Sequence, residues 1–139
     1  MAVIHDWNER NRGVIEEFRA NGGKVGDGTN TLILLTTTGA KSGLLRLNPL
    51  NYSIDGDRII LIASKGAWPT NPDWYHNLVA NPEVTVEVGS ERFQARASIA
   101  EGEERQRLFD QQAAQMPFFA EYQQRTARQI PVVILERIP

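Results

Sequence analysis

The side chains with the most chemical content in this chain are cations and hydroxyls grouped at the ends of apolar runs. Leu32-Ile33-Leu34-Leu35 leads into Thr36-Thr37-Thr38-Gly39-Ala40-Lys41-Ser42-Gly43. Arg46 follows shortly after, and Ser64-Lys65-Gly66 closes the run that ends at Ile62-Ala63. Backbone N–H groups in glycine turns, joined by Lys41, Arg46 and Lys65, form a nest for an anion such as a phosphate. Taken alone, Gly39–Gly43 reads equally well as an ordinary hairpin turn with solvated charges. Arg46 on the next strand and the second lysine turn at Lys65 favour the anion site. The chemistry implied is retention of a phosphorylated small molecule, with no covalent step. A nucleotide P-loop does not fit: that pattern needs glycine directly before the lysine and a helix after it, whereas Ala40 precedes Lys41 and a second strand follows. Ser42 lacks both the Gly-x-Ser-x-Gly elbow and a neighbouring histidine, so it does not read as a nucleophile.

Asn71-Pro72-Asp73-Trp74-Tyr75-His76-Asn77-Leu78 joins a helix start to a set of aromatic and polar groups. Trp74 and Leu78, one turn apart, make a core-facing stripe. Trp68, Tyr75, His76 and Asn77, gathered beside a basic loop, are left over by that stripe and suit a planar ring with polar edges. His76 reads as a hydrogen-bonded or surface helix residue, because a lone histidine needs a partner to act as acid or base. Phe118, Phe119 and Tyr122 follow Met116-Pro117 at helical spacing. They are core or the wall of a pocket, where Tyr122 would offer a hydroxyl. Glu103 and Glu104 read as solvated helix charges.

The chain has 139 residues, a formal net charge of -2 and no cysteine. That length suits one domain, residues 1–139, with its own core. Near-neutral charge argues against a general nucleic-acid binder. Without cysteine there are no disulfides, thiolate nucleophiles or cysteine metal sites, and His5 and His76, far apart in sequence, form no zinc pattern. No apolar run reaches the ~20 residues of a membrane span, and His5, Asp6, Glu9 and Arg10 interrupt any secretory leader. The expectation is a cytoplasmic protein that takes a small molecule, not nucleic acid or metal.

Elements to position these groups follow from periodicity. Val3 to Ala20 predicts an amphipathic helix carrying Trp7, Val14, Ile15 and Phe18 on one face, with Gly22-Gly23 as its stop. Residues 1–23 would thus be a lid or arm, and mixed acidic and basic side chains disfavour peripheral membrane attachment. Lys24 to Asn30 reads as a loop. Strands are expected over 31–37, 44–52 and 57–64, with Pro49 marking an edge or a bulge and Asp55-Gly56 a hairpin turn. Asn71 is the expected N-cap of a helix with Pro72 at its first position, ended by Asn81-Pro82. Val84, Val86 and Val88, then Phe93, Ala95, Ala97 and Ile99, predict a hairpin with one apolar face. Glu101 to Gln115 is a helix with an acidic first turn; a shorter one covers Phe118 to Arg125, and a last strand Pro131 to Arg137. About six mostly antiparallel strands with flanking helices point to a mainly β (α+β) fold, a small, partly open barrel whose gaps the helices cover.

Thr37-Thr38-Gly39-x-Lys41-Ser42-Gly43-x-x-Arg46-x-Asn48-Pro49-Leu50, then Ala63-Ser64-Lys65-Gly66, then Asn71-Pro72-x-Trp74-Tyr75-x-Asn77-Leu78-x-Ala80-Asn81-Pro82 resemble the deazaflavin-dependent nitroreductase family. The likeness extends to Ile130-Pro131-Val132-Val133-Ile134. It implies a split β-barrel like that of the flavin-mononucleotide-binding oxidoreductases. It also implies coenzyme F420, an 8-hydroxy-5-deazaflavin with a phospholactyl-oligoglutamate tail, and hydride transfer to a quinone, enone, lactone or nitroaromatic acceptor. Carried over by position, the turn Lys41-Ser42-Gly43 with Arg46 and Lys65 would hold the phosphate and acidic tail. Asn48, Pro49, Leu50, Asn51, Ile62, Ala63 and Ser64 would line the ring, and Asp73, Trp74, Tyr75, His76 and Asn77 would close its other side. Trp68, Phe119 and Tyr122 would form the acceptor pocket, with Tyr122, or water, returning the proton. Two positions depart from the family pattern: Ala40 stands where a basic residue is frequent, and Phe119 where a pocket tyrosine is expected. The resemblance also implies a homodimer. The alternatives are a flavin-mononucleotide enzyme on the same barrel and a non-catalytic carrier of a deazaflavin or lipid-like ligand.

Overall fold

Three aliphatic runs, each buried on both faces, build the wall of the molecule. The computed structural model describes residues 3–4, 9–25, 32–65 and 70–139, with side chains from residue 11 onward. The chain forms β1 (Val3–Ile4), α1 (Glu9–Ala20), β2 (Leu32–Thr38), β3 (Leu45–Asn51), β4 (Ser53–Asp55), β5 (Arg58–Ile62) and α2 (Asp73–Ala80), followed by β6 (Glu83–Val88), β7 (Glu91–Ile99), α3 (Gly102–Gln115), α4 (Phe118–Arg125) and β8 (Val132–Arg137). The strands make one sheet in the order β1-β3-β2-β6-β7-β8-β5-β4. Every pairing is antiparallel except β1 with β3. β3 and β4 are separated only by Tyr52 yet lie near opposite ends of that order, so the sheet curls into a half-barrel.

The strand period of two sorts each run onto two faces. Ile33 and Leu35 of β2, Ile59 and Leu61 of β5, and Val133 and Leu135 of β8 turn inward with Val84, Val86, Ala95 and Ala97. Trp74 and Leu78 of α2 plug this interior. The alternate residues face outward: Ile60, Ile62, Val132 and Ile134 meet Leu108 and Phe109 of α3 and Phe119 of α4. On another part of the sheet, Leu34 and Leu47 meet Ile15 and Phe18 of α1. Arg19, at the end of α1, donates to both carboxylate oxygens of Glu87, from Nε at 3.1 Å and Nη2 at 2.8 Å. Beyond it Gly23, at φ 92°, runs so close to the β6–β7 turn that a Cβ there would sit 2.6 Å from Gly89 Cα. Only glycine allows that approach.

Four expectations are corrected or refined. The N-terminal helix starts at Glu9, not Val3; Val3 and Ile4 pair with Leu45 and Arg46 of β3. An open strand edge with unpaired N–H and C=O groups outcompetes helix periodicity for two β-branched residues. The expected helix residue Trp7, most of the loop from Lys24 to Asn30, and Trp68 lie outside the described residues. The sheet has eight strand segments rather than about six, because β1 is added and the stretch before Asp55-Gly56 forms its own arm, β4. Pro49 pairs with Leu34 on one side, while β1 on the other reaches only Leu45 and Arg46. Pro49 thus has the expected edge position, with an unbroken one-to-one register and no bulge. Finally, Pro72, not Asn71, caps α2, and Asn71 Oδ1 accepts instead from Arg128 Nη1 at 2.6 Å.

Candidate functional site

The β2–β3 turn is closed by its own backbone. Gly39 N–H donates to Leu44 O at 2.7 Å and Gly43 N–H to Gly39 O at 3.0 Å. Ser42 Oγ accepts from Leu44 N–H at 3.1 Å. A Cβ at Gly39 would lie 2.5 Å from Ser42 Oγ and would push that hydroxyl off the Leu44 N–H. The glycine N–H groups therefore serve the turn rather than a ligand. The N–H groups of Lys41 and Ser42 make no hydrogen bond among the described residues. They are the free donors of the nest, flanked by the Lys41 side chain.

α2 holds this turn in place through Asn77, a polar side chain only 8% exposed. Its Oδ1 accepts from Ala40 N–H at 3.0 Å and its Nδ2 donates to Thr37 Oγ1 at 3.2 Å. Asn81 Nδ2 adds a bond to Thr38 O at 3.4 Å. Between the turn and α2 opens a cavity of about 660 Å³ lined by Gly39, Ala40, Lys41, Ser42, Arg46, Asn48, Asp73, Trp74, His76 and Asn77. It sets two cations against one carboxylate, Asp73, at the first turn of α2. A second cavity of about 280 Å³ shares Trp74. Its walls are Leu32 of β2, Pro49, Leu50 and Asn51 of β3, and Ile62, Ser64 and Lys65 at the end of β5, with Pro72 of the α2 cap and Phe118, Phe119 and Tyr122 of α4. The aromatic wall is an edge-on cluster, with Phe119 and Tyr122 ring centres 6.1 Å apart at 85°.

Most of the residues singled out in the sequence thus line one or other of two cavities that have Trp74 as a common wall. The cations are divided: Lys41 and Arg46 line the larger compartment, and Lys65 lines the smaller one. Ala63 is fully buried in the barrel core, Tyr75 packs partly buried against that core, and Gly43, at φ 71°, shapes the turn without lining either cavity.

Sequence reasoning missed the arginines behind the second compartment. Arg128, in the α4–β8 connection, donates to Ala63 O at 3.3 Å, Asn71 Oδ1 at 2.6 Å and Ser64 O at 2.5 Å. Its loop is tied to α4, since Gln123 Nε2 donates to Arg128 O at 2.8 Å and Gln123 Oε1 accepts from Ile130 N–H at 2.9 Å. Arg105 of α3, 5% exposed, donates to Gln123 Oε1 at 2.9 Å and to Ile130 O at 2.6 Å, and lies 4.6 Å over the Phe109 ring. Burial pushes both guanidinium pKa values below the usual arginine range. No local sequence pattern marks these residues, because the groups that tie them to the compartment, Gln123 and Ile130 for Arg105 and Ala63, Ser64 and Asn71 for Arg128, come from other elements. Among the described residues no three His, Cys, Asp or Glu side chains gather to hold a metal ion. No described helix is long and apolar enough to cross a membrane.

Comparison with known proteins decides the family. Residues 10–137 match the model of the F420H(2)-dependent quinone reductase family. The chain belongs to this family. An F420H(2)-dependent quinone reductase of Mycobacterium tuberculosis is 37% identical over 148 residues, covering 96% of this chain and 98% of its own. A solved F420-H2 dependent reductase is 41% identical with a TM-score of 0.72, covering 81% of this chain and 99% of its own. A second solved relative, described as a domain-swapped dimer, is 36% identical with a TM-score of 0.74 and covers 90% of this chain and 95% of its own. A haem-storage protein of Vibrio cholerae, 16% identical with a TM-score of 0.60 over 90% of this chain and 88% of its own, shares the fold alone. The three motifs implied a deazaflavin-dependent nitroreductase on a split barrel; the comparisons bear out the F420-dependent family and the barrel under the description quinone reductase, and the enzyme class is oxidoreductase with coenzyme F420 as cofactor.

Proposed function

We propose that the two-compartment groove holds coenzyme F420 with its acidic tail in the larger compartment and its ring at Trp74, and that the acceptor, a quinone or a similar electron-poor carbonyl compound, enters the smaller one. The observation that carries this reading is the polarity of the groove. Lys41, Arg46 and the unpaired N–H groups of Lys41 and Ser42 stand at one end, an aromatic wall with the Tyr122 hydroxyl stands at the other, and Trp74 borders both. That donor set fits the group: anionic oxygens meet cations and amides, and a planar ring meets Pro49, Leu50, Ile62 and Trp74.

When bound, the reduced coenzyme supplies a hydride, so the protein needs no nucleophile of its own. Lys41 and Arg46 clamp the tail and thereby place the ring. Asn77 holds the turn that carries Lys41. Phe118, Phe119, Leu50 and Ile62 exclude water from the acceptor side. Tyr122 donates a proton to the acceptor oxygen and regains one from solvent. Phe119, lacking a hydroxyl, leaves Tyr122 as the one phenol of that wall among the described lining residues. The relative described as a domain-swapped dimer supports a homodimer, which sedimentation velocity would measure.

The test is titration of the protein with oxidised coenzyme F420 and, separately, with flavin mononucleotide, followed by turnover of the reduced coenzyme with a panel of quinones, enones and nitroaromatics. Binding of the deazaflavin with quinone-dependent oxidation is the expected result. A flavin spectrum in the purified protein, or deazaflavin binding with no acceptor-dependent oxidation, overturns the reading in favour of a flavin enzyme or a carrier, respectively.

A further inference from the structure

The end of β5 is where the chain leaves the sheet, and its backbone groups are orphaned there. Ala63 N–H still bonds Pro131 O at 3.0 Å, but one residue later the ladder is over. Lys65 then adopts φ 47°, a left-handed conformation that a side chain other than glycine takes only where its surroundings hold it. The carbonyls of Ala63 and Ser64, half-buried beside the second compartment, need donors. Arg128 supplies them with its two terminal nitrogens and also donates from Nη1 to Asn71 Oδ1, just before the cap of α2. One guanidinium therefore joins both ends of the 65–70 connection.

The same residue is anchored from behind. Gln123 lies on α4, one position past Tyr122, and takes the carbonyl of Arg128 and the N–H of Ile130. Arg105 of α3 in turn bonds Gln123 and the carbonyl of Ile130. A continuous string, Arg105–Gln123–Arg128–Ser64/Asn71, thus links the helix that carries the aromatic wall to the strand end and the helix cap that face it. These are three separate walls of the smaller compartment, and no strand pairing links α4 or α2 to β5.

We propose that Arg128 is a positioning residue for the acceptor compartment: its fork sets the spacing between the Phe119–Tyr122 wall and the Ser64–Lys65 strand end, and so the approach of acceptor to ring. This rests on the groove being the coenzyme and acceptor site. A planar fork is required, because the acceptors are met from two separate nitrogens, Nη1 on Ala63 O and Asn71 Oδ1 and Nη2 on Ser64 O, and the single nitrogen of a lysine cannot occupy both places. Lys41 and Arg46, the cations of the tail clamp, make no bond within the string, so the clamp's share of coenzyme affinity is carried independently of it.

The experiment compares the full-length parent with Arg128→Lys, Arg128→Ala and, as a control on a surface arginine, Arg107→Ala. Three readouts are taken: Kd for oxidised coenzyme F420 by fluorescence, kcat and KM with a soluble naphthoquinone, and amide hydrogen exchange of the coenzyme-free protein by mass spectrometry. Expected for both Arg128 variants are a Kd within about threefold of the parent and kcat/KM down tenfold or more. Exchange should quicken in segments 61–65, 72–76 and 118–124 while 32–51 and 83–99 keep their protection. Arg128→Lys, which retains the charge, should not rescue. The proposal is overturned if Arg128→Lys behaves as the parent, if coenzyme affinity and kcat/KM fall together with exchange rising over the whole chain, or if exchange changes nowhere. Should the parent bind no coenzyme F420, the functional reading fails at that step, while the exchange pattern still reports on the string.

Discussion

The two compartments of the groove are built in opposite ways. The larger one needs only two elements: Gly39, Lys41, Ser42, Arg46 and Asn48 belong to a single hairpin whose turn closes on its own hydrogen bonds, and α2 supplies the facing wall. The smaller one is assembled from β2, β3, the end of β5, the cap of α2 and α4, and a string of hydrogen-bonded, mostly half-buried side chains joins its walls. Binding groups can be packed into a rigid turn. A compartment walled by several elements has its width set by tertiary contacts, which suits the proposed acceptor side.

The comparison is broken most sharply at the cation end. Lys41→Ala combined with Arg46→Ala should weaken binding of oxidised coenzyme F420 by about 10²-fold or more, since each charge-assisted hydrogen bond contributes ~1.5–3 kcal/mol. Fluorescence titration reads this, and a double variant that binds like the parent sinks the clamp. At the other end, Tyr122→Phe should lower kcat by on the order of 10²-fold, as expected for loss of a general acid, with coenzyme Kd unchanged. A shift in Kd alone would instead make Tyr122 a ring contact.

Asn77→Ala tests the bridge between turn and helix. It strips the acceptor from the Ala40 N–H and should destabilise the fold by ~1–3 kcal/mol, seen as a Tm several degrees lower, with weaker coenzyme binding because Lys41 loses its support. Unchanged melting and affinity would show that the turn stands alone.

The smallest effect belongs to a cluster remote from both compartments. Asp55 accepts from Arg107 at 3.0 Å and from Arg58 at 2.5 Å, and these two guanidinium groups hold its pKa at about 2, below the usual 3.8. A lowered carboxylate pKa stabilises the fold above the unfolded value, and the gain is lost as pH falls through the folded one. The stability advantage of the parent over Asp55→Asn should therefore be complete above about pH 5 and lost progressively to about pH 1, by chemical denaturation across that range. Neither compartment's kinetics should respond.

Legibility followed the same division. The turn at Gly39–Gly43, the helix opening at Asn71-Pro72 and the Met116-Pro117 break were readable because glycine, proline and charge act over a few residues. Even there, which N–H groups remain free was not: Gly39 and Gly43 use theirs to close the turn, and Lys41 and Ser42 keep theirs. The misplacement of Val3–Ile4 in a helix has the same origin, since the edge of β3 that claims them is more than forty residues away in sequence.

Periodicity along the chain was enough to determine a β-rich barrel with inward and outward apolar faces, because the strand repeat of two is a property of the backbone alone. It was also enough to place three cations at strand ends, and the spaced motifs pointed to the family. Only the tertiary structure decided that Lys65 parts from Lys41 and Arg46, that Trp74 stands between two compartments, and that Arg128 ties α4 to the end of β5. A guanidinium chooses its acceptors by where folded carbonyls lie, and that distance is set by packing rather than by neighbours in sequence.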